Sequence, residues 1–319
     1  MNSALRPMST AEVLDRTFNL YRNHFLLFAG IAVGQAVCIV LGILLIIPMG
    51  AVLPLAKLNS PDPFTVLSTF GVYSLIVLFF FLIGYAMATG ATTYAVSKIH
   101  LGYTATIRDS YREVGPLVWR TLRIVISLFV RFLGAVILTE FLVYVGTLAV
   151  MPPLLRLIGN PPMVVRWIIA IVILGFFVAG MIWAARIYCR YSLAVPACLL
   201  ERLPARQALK RSRWLAKGAL GRIFLIFFLM GILALGLSYA IQFPIAIYSE
   251  ARPGVLAIVL QLTGLFIALT FALPSGTIAV CLLYYDQRVR KEAFDLQVMM
   301  ESLTQIPAQE HFPAATPLT

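Results

Sequence analysis

The chain has 319 residues, 61% of them hydrophobic and only 12% charged, with a mean hydropathy of +0.92. A water-soluble domain carries about a quarter charged residues and roughly 45–50% apolar ones, so this composition excludes most soluble folds. The few charges are lopsided, 25 Lys and Arg against 13 Asp and Glu for a formal net charge of +12, and their placement therefore carries topological information.

In chain order, Ser9 is followed three residues later by Glu12, the pattern of a capping box, and Leu14, Phe18, Tyr21 and Phe25 then recur at three-to-four spacing. This predicts an amphipathic helix lying at the membrane interface and feeding the first span. A span needs about 20 predominantly apolar residues. Six stretches qualify, near Phe25–Ile47, Val66–Val96, Ile124–Val150, Val164–Ala185, Ile223–Ile247 and Val255–Tyr284. The first is not expected to be a cleaved signal peptide, because an acid-containing helical segment precedes it and no A-x-A site follows.

Between spans two and three, Ile107, Ser110, Tyr111 and Val114 form a second amphipathic stripe; between spans four and five, Ala205 to Lys217 forms a third, with Ala208, Leu209, Trp214 and Leu215 among cations. Leu14-x-x-Thr17-Phe18, Ile107-x-x-Ser110-Tyr111 and Leu209-x-x-Ser212 with Trp214 share a pattern, 93 and 102 residues apart, each heading a pair of spans. Three copies of one unit, at 9–101, 102–203 and 204–292, account for this. So does the general habit of hairpin-built membrane proteins of carrying charged helices at their turns. The expected fold is all-α: one polytopic transmembrane bundle of six spans over residues 1–300, with interfacial amphipathic helices on one side. A further amphipathic stretch is expected over 286–300 and a disordered tail over 301–319.

Twenty of the 25 cations fall in the N-terminal segment, the turns after spans two and four, and the C-terminal segment; Lys57, Arg156, Arg166 and Arg252 fall opposite, and Arg131 lies within a span. This asymmetry predicts both termini on the cytoplasmic side. The four cysteines, Cys38, Cys189, Cys198 and Cys281, lie in spans or on that same side without a C-x-x-C pair, and read as small apolar filler.

Ions inside the membrane are functional candidates. Arg131 and Glu140 are nine residues apart in span three, on opposite helix faces and about 13 Å apart along the axis, so they cannot pair with each other. Arg131 is shallow enough to snorkel; Glu140 has a short side chain and is the sharper candidate. Gln242 and Gln261, like Gln35, sit mid-span as interhelical hydrogen-bonding groups or as the wall of a polar cavity. Pro48, Pro54, Pro196, Pro244 and Pro274 mark kinks or breaks, and Pro274-Ser275-Gly276-Thr277 places hydroxyls beside such a break. Arg131, Glu140, Gln242, Gln261 and Ser275 thus form the candidate intramembrane polar site. Gly30-x-x-x-Gly34 and Ala86-x-x-x-Gly90 permit close helix contact.

No catalytic, metal or cofactor constellation is present: the three histidines, His24, His100 and His311, are scattered, and no Walker loop, dinucleotide-binding glycine fingerprint or G-x-S-x-G elbow occurs. No cofactor and no enzyme activity are expected. The basic face of Arg206, Lys210, Arg211, Arg213 and Lys217 is expected to meet anionic lipid headgroups, at about 1 kcal/mol per cation near the surface, or the acidic face of a protein partner, rather than nucleic acid.

Three stretches, LRPMSTAEVLDRTFNLYRNHF from Leu5, RYSLAVPACLLERLPARQALKRSRWLAKG from Arg190 and YYDQRVRKEAFDL from Tyr284, together resemble the membrane domain of some bacterial glycerophosphoryl diester phosphodiesterases and of stand-alone proteins similar to it. The matching positions include Pro196, Glu201, Ser212, Trp214, Gly218, Tyr285, Asp286, Arg288 and Arg290. The resemblance implies a helical domain that anchors a catalytic barrel in the two-part proteins. Here 35 residues follow Tyr284, without a His-Arg-Gly or acidic metal-binding cluster, so the phosphodiesterase activity is not carried over. The expected function is a non-enzymatic scaffold, anchor or assembly partner in a bacterial inner membrane. The alternative is a transporter or lipid-handling protein using a polar intramembrane cavity.

Overall fold

A computed structural model describes residues 7–45, 63–158 and 163–292. They form ten α-helices and one 3-10 turn, with no strand among the described residues. The helices are α1 (Thr10–Asn23), α2 (Phe25–Leu44), α3 (Pro63–His100), α4 (Ile107–Val114), α5 (Val118–Ile158), α6 (Met163–Tyr191), α7 (Ala194–Leu200), α8 (Ala205–Ala216), α9 (Leu220–Ala251) and α10 (Val255–Glu292). Six of these, α2, α3, α5, α6, α9 and α10, are long and apolar enough to cross a membrane. The protein is a multi-pass membrane protein. Pro48, Pro54, the 293–300 stretch and the 301–319 tail lie outside the described residues.

Each span is helical because a backbone in hydrocarbon must satisfy its own hydrogen bonds. The helices overrun the apolar stretches where polar turns continue the same geometry: α5 starts at Val118 rather than Ile124, and α10 runs past Tyr284 to Glu292. Three antiparallel hairpins result, α2/α3, α5/α6 and α9/α10. Helix α10 is the hub, packed against α1, α2, α3 and α9; α5 leans on α3, and α6 reaches α9. Close packing relies on small residues, since lipid tails are as apolar as leucine and give helices no hydrophobic reason to meet. Ala86, Ala88, Ala91 and Ala95 of α3 are all buried.

The core is concentrated towards one end, where α1, α4, α7 and α8 gather into a cap. The capping box closes α1: the Glu12 amide donates to Ser9 Oγ at 3.1 Å and the Ser9 amide to Glu12 Oε2 at 3.3 Å. Helix α4 does more than lie on the interface. Its Ile107 and Tyr111 fit against Gly30 and Gly34 of α2, one four-residue pair on another, and Val114 fits against Gly90 of α3. A side chain at any of these glycines would collide with α4, and Tyr111 Oη donates to the Ile31 carbonyl at 2.6 Å. The sequence spacing at Gly30 and Gly34 therefore serves a short cap helix rather than a second span.

The three hydroxyls aligned by the sequence pattern, Thr17, Ser110 and Ser212, are all fully buried. Each donates to a backbone carbonyl, of Val13, Thr106 and Arg190 respectively. Helix α7 has no counterpart in the expected elements. Six of its seven residues, Ala194–Leu199, are buried, so it carries no polar stripe to betray it. Pro196 sits in its first turn, where a missing amide costs nothing. Pro244 and Pro274, by contrast, lie inside continuous helices.

Candidate functional site

Two ion clusters hold the cap together. Asp286 of α10 is fully buried, and its carboxylate accepts from Arg222 Nη1 at 2.7 Å, Arg290 Nε at 3.0 Å and the Met8 amide at 2.7 Å. The Met8 carbonyl in turn accepts from Arg222 Nη2 at 2.7 Å and Arg290 Nη2 at 2.6 Å. One residue near the N-terminus, Met8, is thus gripped through both its backbone N–H and its C=O by side chains more than two hundred residues away, tying the segment before α1 to the start of α9 and the end of α10.

The second cluster is a closed ring. Glu201, just after α7, accepts from Arg211 Nε at 3.0 and 3.1 Å; Arg211 also pairs with Glu292; Glu292 accepts from Arg288 Nε at 3.1 Å; and Arg288 lies 3.9 Å from Glu201. Tyr284 Oη donates to Glu201 at 2.5 Å. Burial works against the Arg211 charge, but hydrogen bonding and attraction from Glu201 and Glu292 outweigh it and raise its pKa above the ordinary value. Beside the ring, Lys291 Nζ donates to the Trp214 and Lys217 carbonyls at 2.7 Å each, satisfying the exposed C-terminal carbonyls of α8. Lys291 and Arg211 both sit 5.2 Å from the Trp214 ring. Gly218 then takes φ +83°, a left-handed conformation that lets the chain turn from α8 into α9.

Below the cap, the gap between the α3/α10 pair and α5, α6 and α9 holds a cavity of about 240 Å³, with Val195 and Pro196 of α7 lining its cap end. Seven of its lining residues carry hydroxyls, from Tyr85 and Thr89 on α3 to Ser275 and Thr277 on α10, and none is charged. Tyr188 of α6 stacks edge-on against Phe132 of α5 and Phe227 of α9, with centroids 6.2 and 5.2 Å apart, forming an aromatic seam where α6 meets α9.

The candidate intramembrane residues do not converge on this cavity. Only Ser275 lines it, with its Oγ donating to the Ala272 carbonyl at 2.8 Å, one turn back. Arg131 is exposed and turned towards the cap: it donates to Ser127, one turn earlier, and its guanidinium lies 4.9 Å from the Tyr191 ring. Glu140 and Gln261 are exposed on the bundle surface, and Gln242 is half-buried beside Gly264 of the neighbouring helix. Neither Gln242 nor Gln261 makes an interhelical hydrogen bond among the described residues, and the Gln35 amide nitrogen is buried with no partner. On the basic face, Arg206, Lys210, Arg213 and Lys217 are exposed, whereas Arg211 is drawn inward to the ion ring. The residues that sequence reasoning did not join are Met8, Arg222, Asp286, Glu201 and Glu292. Glu201, Asp286, Arg288 and Arg290 were nonetheless among the positions carrying the family resemblance.

Residues 64–310 match the model of a domain of unknown function (DUF8558), and the chain belongs to that family. No curated protein and no solved structure matches it.

Proposed function

We propose that this member of the DUF8558 family is a non-enzymatic scaffold or anchor, an assembly partner in a bacterial cytoplasmic membrane, with its termini and its cap on the cytoplasmic side. The observation that carries this reading is the cap. Its partly buried ion ring holds α8 against Glu201, just after α7, and against the end of α10, so Arg206, Lys210, Arg213 and Lys217 are presented as one stripe on a helix fixed in place. Buried ion clusters of this kind favour a defined geometry more than they favour stability. A fixed basic stripe is what an acidic protein surface needs for register and for rapid encounter. Anionic headgroups are the other ligand of this face.

The dispersal of Arg131, Glu140, Gln242 and Gln261 favours a scaffold over a transporter, and the cavity supports lipid handling as the second reading. The resemblance to an anchor domain agrees with a scaffold.

The test is quantitative crosslinking followed by affinity recovery from native membranes. A partner recovered about one-to-one with the wild type, and at least tenfold less with the triple variant Arg206→Glu, Lys210→Glu, Arg213→Glu, supports the reading. Equal recovery with both proteins, or no stoichiometric partner, overturns it.

A further inference from the structure

The cavity beneath α7 has a composition that narrows what can occupy it. No charged side chain lines it, which excludes an ion, a phosphate or an ionised substrate as the buried part of a ligand. Its wall is predominantly apolar with a set of hydroxyls, the usual make-up of a small-molecule site. Three of these hydroxyls, on Thr93, Ser192 and Ser275, already donate to carbonyls of their own chain segment. Among the described residues Thr89 and Thr277 donate to none, leaving donors on α3 and α10.

Shape and size point the same way. On α3 the lining runs from Tyr85 to Thr93, and on α10 from Ala272 to Val280, so the cavity extends about 12 Å parallel to the helices, and hence along the membrane normal. An engineered apolar cavity of about 150 Å³ holds a benzene; in proportion, about 240 Å³ holds on the order of ten non-hydrogen atoms. A narrow, uncharged slot within a bundle of six membrane-crossing helices is surrounded by one abundant ligand of those dimensions. At the cap end the cavity is lined by Val195 and Pro196 of α7. The aromatic seam of Phe132, Tyr188 and Phe227 marks the side where α6 and α9 meet most sparsely.

We propose that this cavity is a binding site for an acyl chain, taken laterally from the bilayer between α6 and α9, with the chain's carbonyl accepting hydrogen bonds from Thr89 and Thr277. The charged headgroup stays outside. This goes beyond the scaffold reading and does not depend on it. The chemistry is shared by the ester of a diacyl lipid and the neutral, protonated carboxyl of a free fatty acid, and the experiment separates them.

The full-length protein is reconstituted in nanodiscs containing phosphatidylglycerol with a photoreactive diazirine on one acyl chain, and the crosslinked peptides are quantified. The Tyr85–Thr93 and Leu273–Val280 peptides are expected to label at least fivefold above the lipid-facing Phe176–Trp183 peptide. Excess unlabelled phosphatidylglycerol that suppresses the cavity label identifies a diacyl lipid; suppression by oleic acid alone identifies a free fatty acid. A side chain at Gly231 or Gly276 meets open space within the cavity wall, so Gly231→Leu or Gly276→Leu should fill it, cutting the cavity label at least fivefold and leaving the surface label unchanged. Cavity labelling no stronger than the surface label, or suppressed by neither competitor, overturns the proposal. The wild-type competition decides this even if neither leucine variant folds.

Discussion

At the scale of single residues, Asp286 is the position where the fold is most exposed to one change of charge. Its carboxylate is fully buried and faces two guanidinium groups, and Arg222 already has a buried Nε with no partner. Replacing Asp286 by Asn keeps the shape but leaves the largely buried Arg222 without its counter-charge, which costs about 3–5 kcal/mol when a buried pair is broken from one side. Asp286→Asn is therefore expected to lower the thermal midpoint of the detergent-solubilised protein sharply, as read from the monodisperse fraction in size-exclusion chromatography after heating. The double variant Asp286→Leu, Arg222→Met removes both charges and should recover part of that loss. A midpoint unmoved by Asp286→Asn would show that the cluster contributes nothing to cap stability. Tyr284→Phe provides a graded comparison: Glu201 loses one donor but keeps Arg211, so a loss of about 1 kcal/mol is expected in the same assay.

At the scale of elements, the fold is held by how cap helices meet glycines and small residues on the spans. Gly34→Leu would place a side chain where Tyr111 Oη lies and should push α4 off α2. Trypsin, which cuts after Arg108 and Arg112 only when α4 is loosened, is expected to cleave this variant at least tenfold faster than the wild type, with the spans intact; equal cleavage would mean that α4 is not anchored there. The same helix shows what was readable in advance. Its stripe of Ile107, Ser110, Tyr111 and Val114 was legible because amphipathic periodicity is local, and so were the six spans, whose signal is a sum over about twenty neighbouring residues. What α4 packs against was not legible, because Gly30 and Ile107 are far apart in the chain and nothing in either records the other. Helix α7 escaped for a different reason: being buried on all sides, it has no polar face from which a period could be read. Asp286 could be seen as a charge at the end of a span. Its partner, the Met8 peptide, could not, because a backbone group has no side-chain identity to recognise.

At the scale of the whole molecule, the candidate intramembrane site failed to assemble because intramembrane polarity identifies residues that need an explanation without saying which helix faces they occupy. Arg131 and Glu140 both proved exposed, on a hairpin that, among the spans, packs mainly on α3 and α9 rather than on the hub helix α10. The charge asymmetry is a stronger global signal, because it sums twenty cations against four, and the hairpin geometry gathers those of the described residues at the cap end. If that end faces the cytoplasm, a single cysteine at Arg252, in the turn between α9 and α10, faces outward, and one at Lys210, on the exposed side of α8, faces inward. The native thiols give little background, since Cys189, Cys198 and Cys281 are buried and Cys38 lies within α2. In spheroplasts, a membrane-impermeant maleimide is expected to label Arg252→Cys at least tenfold more than Lys210→Cys, with the difference abolished by permeabilisation. The reverse pattern would invert the molecule, placing α8 and its basic stripe beyond the reach of any cytoplasmic partner and removing the scaffold reading with it. Equal labelling would mean that the cation bias does not set a single orientation. The bias is strong enough to make that outcome informative: moving the cap across the bilayer would carry Arg206, Lys210 and Arg213 with it, against the rule that such cations stay on the side where they are synthesised.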